Sequence, residues 1–313
     1  MESVLAKGII NSLQENPPTY LPGSGYGAFA AVVDPRSKDN TEVFPLDGKS
    51  LDDFSDEDLI SLAETSPILF KLSGTNVVRL SKTLVLKAGG NILPCEASAL
   101  RLVAEGTGIP VPRVHRSFQV PDVSQYFGTK GYIVMDYIDG VNLGDSWKYL
   151  SSEQKKDAVV QTVKMVEQMQ ALTLKDPGPL GGGPCRGRFF TDYSAGPFSG
   201  AEEMEAWFNH KLTLCKHLKQ APAETPSFHF SQFVLVHQDI SPRNLIRDIS
   251  GQLWMIDWAD AGAYPPAFEA AALACQGRFS EFSEMVLSLM PDRSGEINQL
   301  QSIMYGLTTA ALA

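Results

Sequence analysis

The sequence predicts an α+β fold of two lobes sharing a cleft, with a small antiparallel-sheet amino lobe and a mainly helical carboxy lobe. Three observations carry this. Apolar runs at 70–72, 77–80 and 83–87 are separated by Ser73-Gly74-Thr75-Asn76 and by Ser81-Lys82, the punctuation of an antiparallel meander. From Ser151 the period becomes helical, with Gln154 three residues after Ser151 as a capping box and Val159, Val163 and Val166 as one stripe. Finally, two short apolar strands at 233–236 and 253–256 deliver His237, Asp239, Asn244 and Asp257 to neighbouring strand ends.

The 313 residues, 43% hydrophobic, suffice for one large core or for two lobes sharing a cleft and exceed a minimal binding module. A net charge of -10 argues against a nucleic-acid or anionic-membrane partner, which would need clustered Lys and Arg. No apolar run has the length of a transmembrane helix and the amino terminus lacks the order of a signal peptide, so a cytoplasmic chain is expected. Four cysteines without metal-ligand spacing read as reduced thiols.

Taken in order, residues 1–64 read as an extension with short helices. Pro17-Pro18 and Gly23-Ser24-Gly25 break it, and Ser55 caps a helix whose acidic start suits the helix dipole. The amino lobe is assigned to 65–137 and the carboxy lobe to 138–313. After the meander, Pro94 opens a helix running through Leu100, Val103 and Ala104, and Glu96 shares their inward face. Residues 131–137 form a strand that turns away at Ile138-Asp139-Gly140. Residues 176–200 are a loop rich in Gly and Pro, and 202–214 a helix lining a cleft or packing on the lobe. The segments 279–289 and 297–312 read as packing helices.

Asp239 precedes Asn244 by five residues, and Asp257 ends the next strand. Two carboxylates and a carboxamide thus converge where one could orient a hydroxyl while the others hold magnesium on a nucleotide. The pattern His-x-Asp-x-x-x-x-Asn followed by a strand-end Asp is that of a kinase catalytic loop and its metal-binding Asp. Here Gln238 stands where protein kinases have Arg, and Trp258-Ala259 where they have Phe-Gly. With Pro242 before Arg243-Asn244 and the ending Ile256-Asp257-Trp258, the chain resembles the aminoglycoside phosphotransferase and choline kinase group, small-molecule kinases with a protein-kinase-like fold. The likeness extends over about residues 68–270.

The resemblance implies ATP- and magnesium-dependent transfer of the γ-phosphoryl group to a hydroxyl of a small metabolite. Asp239 would orient and deprotonate the acceptor, and Asn244 and Asp257 would hold the metal. Lys87, set by Glu96, would anchor the phosphates beneath the turn Ser73-Gly74-Thr75, although that turn has a single glycine. Backbone groups of Asp136, Tyr137 and Ile138 would meet the base. His237 and Trp258 would brace the loop; Arg243 is open between phosphate neutralisation and a solvated or core-bracing role. Asp192, Glu202, Glu203 and Glu205 near the presumed substrate loop lean towards a cationic acceptor. The competing class is a nucleotide-binding regulator without activity. A protein kinase is disfavoured, because Ala261 to Pro266 leads straight into a helix with no room for a peptide-binding activation segment.

Overall fold

The computed structural model describes residues 31–190 and 195–310. Five antiparallel strands form the amino-lobe sheet: β1 (Ile68–Leu72), β2 (Thr75–Arg79), β3 (Leu84–Gly89), β4 (Val114–Pro121) and β5 (Thr129–Asp136), in the spatial order β1-β2-β3-β5-β4. Side chains alternate along β3. Leu86 and Ala88 join Leu59, Val78, Leu80 and Val134 in a core on one face, while Lys87 points the other way. Each fully buried aliphatic of that core contributes roughly 1.5–3 kcal/mol.

Residues 32–64 pack against this lobe. Val32 bridges Lys71 at the edge of β1, and Phe44 and Leu46 are buried. Arg79, wholly buried, donates to the carbonyls of Ser37 and Lys82, and its guanidinium lies over the rings of Phe44 and Tyr137. Helix α1 (Asp56–Thr65) begins at a Ser55/Asp58 capping box. Any structure in residues 1–30, including the expected first helix, lies outside the described residues. Strand β4 was not anticipated: His115, Arg116, Ser117 and Gln119 hide it, and only Phe118 and Val120 show the alternation of a strand.

Helix α2 (Pro94–Gly106), with Pro94 in its first turn, lies between β3 and β4 in sequence and buries Cys95, Glu96, Ala99, Leu100 and Val103. Past Asp136 the chain enters β6 (Gly140–Asn142), which pairs with β10 (Leu245–Asp248). A short turn, α3 (Leu143–Ser146), precedes α4 (Ser152–Gln170), which starts at the expected Ser151/Gln154 box and buries Val159, Val163 and Val166. The remaining helices are α5 (Ala201–His217), α6 (Ala267–Ala274), α7 (Ser280–Leu287), α8 (Ser294–Ser302) and α9 (Met304–Thr308), of which α7 packs on α4.

Two small sheets support the centre. Strand β10 pairs with β11 (Leu253–Met255) as well as β6; β9 (Phe233–Val236), buried at every residue, sits between β7 (Thr173–Leu174) and β12 (Gly262–Tyr264), with β8 (Gly178–Pro179) beyond. Among the described residues no helix is long and apolar enough to cross a membrane.

Candidate active site

The strands deliver the polar residues to one place. Lys87 Nζ lies 2.6 Å from Glu96 Oε1 and 2.7 Å from Asp257 Oδ1, so one ammonium joins β3, α2 and the segment after β11. Burial alone would push the Lys87 ammonium down, but Asp257 and Glu96 outweigh it and hold it above its usual range. Lys87 and burial act oppositely on Asp257: Lys87 wins and keeps the carboxyl below the ordinary range. On Glu96 burial wins and raises it, and its Oε2 has no partner.

Asp257 has a φ of 63° and Gln238 a φ of 65°, left-handed conformations uncommon outside glycine. Each costs of order 1–3 kcal/mol, and such strain gathers at functional sites. The catalytic-loop segment is held from beneath. His237 Nε2 lies 3.1 Å from the Ile256 carbonyl, and Nδ1 accepts the Asp239 amide at 3.2 Å, a pairing that assigns the proton to Nε2. Burial lowers the His237 pKa, which suits this neutral form. Trp258, fully buried, packs edge-on against His237 and donates to the Met255 carbonyl.

Asp239 is surrounded by donors. Arg243 Nη2 approaches both oxygens, at 2.7 Å from Oδ2; Asn244 Nδ2 donates to Oδ2 at 2.8 Å, and Gln276 Nε2 to Oδ1 at 3.2 Å. Arg243 is therefore a partner of Asp239. Asn244 thus spends its nitrogen on the Asp239 carbonyl and carboxylate.

The other expected nucleotide contacts are placed as follows. Ser73 and Gly74 form a two-residue turn with φ of 48° and 82°, flanked by the Leu72–Thr75 pair. The Gly74 carbonyl approaches the spot a Cβ on Gly89 would fill, so Gly89 lets this turn lie over the end of β3. In the stretch Asp136 to Ile138, the Asp136 amide donates to the Arg113 carbonyl and the Tyr137 amide to that of Thr83. That leaves the Ile138 amide as the donor this stretch can offer a base among the described residues.

The model of the phosphotransferase enzyme family matches residues 91–290, 200 of the 313 residues. The chain belongs to that family. Its fold is shared with the GDP complex of wild-type aminoglycoside 2'-phosphotransferase-IIIa, at a TM-score of 0.50 and 13% identity over 78% of this chain and 86% of that one. It is shared also with the GDP and kanamycin complex of APH(2")-IIia, at 0.50 and 15% identity over 84% and 89%. No curated protein matches the sequence.

Several residues of this phosphotransferase that shape the site escaped sequence reasoning. Glu269 reads in sequence as a carboxylate at a helix start. In the fold its buried Oε2 accepts the His237 amide at 2.6 Å and lies 3.4 Å from that of Gln238, which ties the catalytic loop to α6. Burial pushes its carboxyl up to about 7. Gln238 Nε2 donates to the carbonyls of Arg186 at 3.1 Å and Asp260 at 2.8 Å, and Gln276 reaches Asp239 from the end of α6. The one available signal was Gln238 itself, an amide where a protein kinase carries a guanidinium.

Two of the acidic residues near the substrate loop have local partners. Glu203 accepts the Ser199 amide and hydroxyl at the start of α5, and Glu205 accepts the Phe230 amide. Glu202 is exposed, and Asp192 lies outside the described residues.

Proposed function

We propose that this phosphotransferase moves the γ-phosphoryl group of ATP, with magnesium, to a hydroxyl of a small metabolite, its nucleotide lying between an amino lobe of residues 65–137 and a carboxy lobe of 138–313. The observation that carries the reading is the Glu96–Lys87–Asp257 chain beside an Asp239 held in place by Arg243, Asn244 and Gln276. In this reading Lys87 presents its charge to the α- and β-phosphates. The turn at Ser73, Gly74 and Thr75 covers them, and the Ile138 amide beside Asp136 and Tyr137 meets the base.

The donor set fits magnesium. Asn244 Oδ1 and the Asp257 oxygen not bound to Lys87 are two hard oxygen ligands, and magnesium is commonly held by one or two protein oxygens, substrate phosphates and water. Asn244 and Asp257 would hold the ion, which would offset the charge that develops in transfer.

Asp239 orients the acceptor hydroxyl. As the oxygen attacks phosphorus and the bond to the ADP oxygen breaks, the hydroxyl proton passes to the Asp239 carboxylate. Four hydrogen-bond contacts from Arg243, Asn244 and Gln276 fix that carboxylate, so it aims the hydroxyl it receives the proton from. A hydroxylated acceptor, cationic in part, is supported by a structure of shared fold solved with GDP and kanamycin, while Glu203 and Glu205 are committed elsewhere. The test is ADP release across a panel of hydroxylated metabolites, with Asp239→Asn subtracting background hydrolysis. A product from at least one metabolite, absent in the variant, is expected. Equal, acceptor-independent release from both proteins would leave a nucleotide-binding regulator.

A further inference from the structure

The loop between β8 and α5 sends one side chain across the cleft. Arg186 Nη1 donates at 2.7 Å to the carbonyl of Asn91, in the turn that joins β3, which carries Lys87, to α2, which carries Glu96. Its Nε lies 3.7 Å from Asp260 Oδ1, three residues past Asp257, and its guanidinium lies 5.6 Å from the ring of Phe127 in the turn between β4 and β5. The backbone beneath is fixed to the catalytic loop. Gln238 holds the Arg186 carbonyl and that of Asp260 with one nitrogen. Gly187 has a φ of 102°, and a Cβ there would meet the Gln238 amide at 2.8 Å.

We propose that Arg186 is a positioning residue for phosphate anchoring, a tie from the carboxy-lobe loop to both sides of the Glu96–Lys87–Asp257 chain. The inference rests on the phosphotransferase reading for its consequence and on geometry for the tie. Lys87 can hold both carboxylates only while α2 and the segment after β11 keep their spacing, and Arg186 contacts the chain just outside each of them. Its charge also helps lower the carboxyl of Glu96, whose burial raises it. Arginine suits the task because its planar fork serves a carbonyl and a carboxylate at once, which a lysine ammonium does less well. Asp260, which burial raises to about 6 despite Arg186, is the tie's other end. Both side chains are partly exposed, so the pair adds little to global stability and acts on local geometry.

The test uses full-length protein with Arg186→Ala, Asp260→Asn and Lys87→Met, alone and combined. Amide exchange over residues 91–97 should speed up about tenfold in Arg186→Ala and also in Asp260→Asn, with Arg186→Lys between wild type and Ala, while core peptides of β9 stay protected. Calorimetry with Mg-ATP should show about a tenfold loss of affinity on Arg186→Ala in the wild-type background and less than about twofold in the Lys87→Met background. Equal losses in both backgrounds would mean that Arg186 meets the phosphates directly, and unchanged exchange over 91–97 would mean that there is no tie; either overturns the proposal. Failure of wild type to bind Mg-ATP would count against the phosphotransferase reading alone, since the exchange result judges the tie without it.

Discussion

Lys87 sits between two carboxylates, and the effect of removing it depends on which of them can reach water. Asp257 is 44% exposed and can hydrate, whereas Glu96 is 1% exposed and would be left as an unpaired buried charge, a loss of about 3–5 kcal/mol. Lys87→Met should therefore lower both melting temperature and turnover. Adding Glu96→Gln should restore much of the melting temperature and none of the turnover, as a scan and an assay on the double variant would show. Asp257→Asn is expected to behave differently. Asn tolerates the left-handed backbone that Asp257 adopts, so the fold should survive while affinity for Mg-ATP falls. Calorimetry on the folded variant checks this, and unchanged affinity would remove Asp257 from the metal site.

At the scale of elements, α6 supports the catalytic loop through Glu269. Because its carboxyl is raised to about 7 in the fold from an ordinary 4.5, the native state binds the proton more tightly than the unfolded chain does. Stability from this group is complete below about pH 4.5 and falls as pH rises to about 7. Glu269→Gln keeps an oxygen for the His237 amide and removes the titration, so denaturant unfolding should show a shallower decline over that window. An unchanged slope would assign the decline to other groups. The sequence made some of these elements plain and hid others for local reasons. The Ser151/Gln154 box, Pro94 and the period of β3 are signals carried by neighbours in the chain, and α4, α2 and Lys87 followed from them. Strand β4 hid behind polar residues, and the burial of Phe44 and Leu46 showed no period. Glu269 and Arg186 act on partners 32 and 95 residues away, which no local pattern encodes.

Across the whole molecule, the site is a set of ties between lobes. Lys87 on the sheet meets Asp257 on the carboxy lobe, and Arg186 on a carboxy-lobe loop meets Asn91 on the amino lobe. With them in place, the central claim is that Asp239 directs an acceptor hydroxyl in a reaction whose nucleotide is held by other residues. The direct measurement compares wild type with Asp239→Asn, a nearly isosteric change, in Mg-ATP affinity and in formation of phosphorylated metabolite on the same preparations. A positioned base contributes about 10²- to 10⁴-fold in rate. The account predicts nucleotide affinity within a few fold of wild type and product formation reduced by at least about a hundredfold; product formed equally fast by the variant would contradict it.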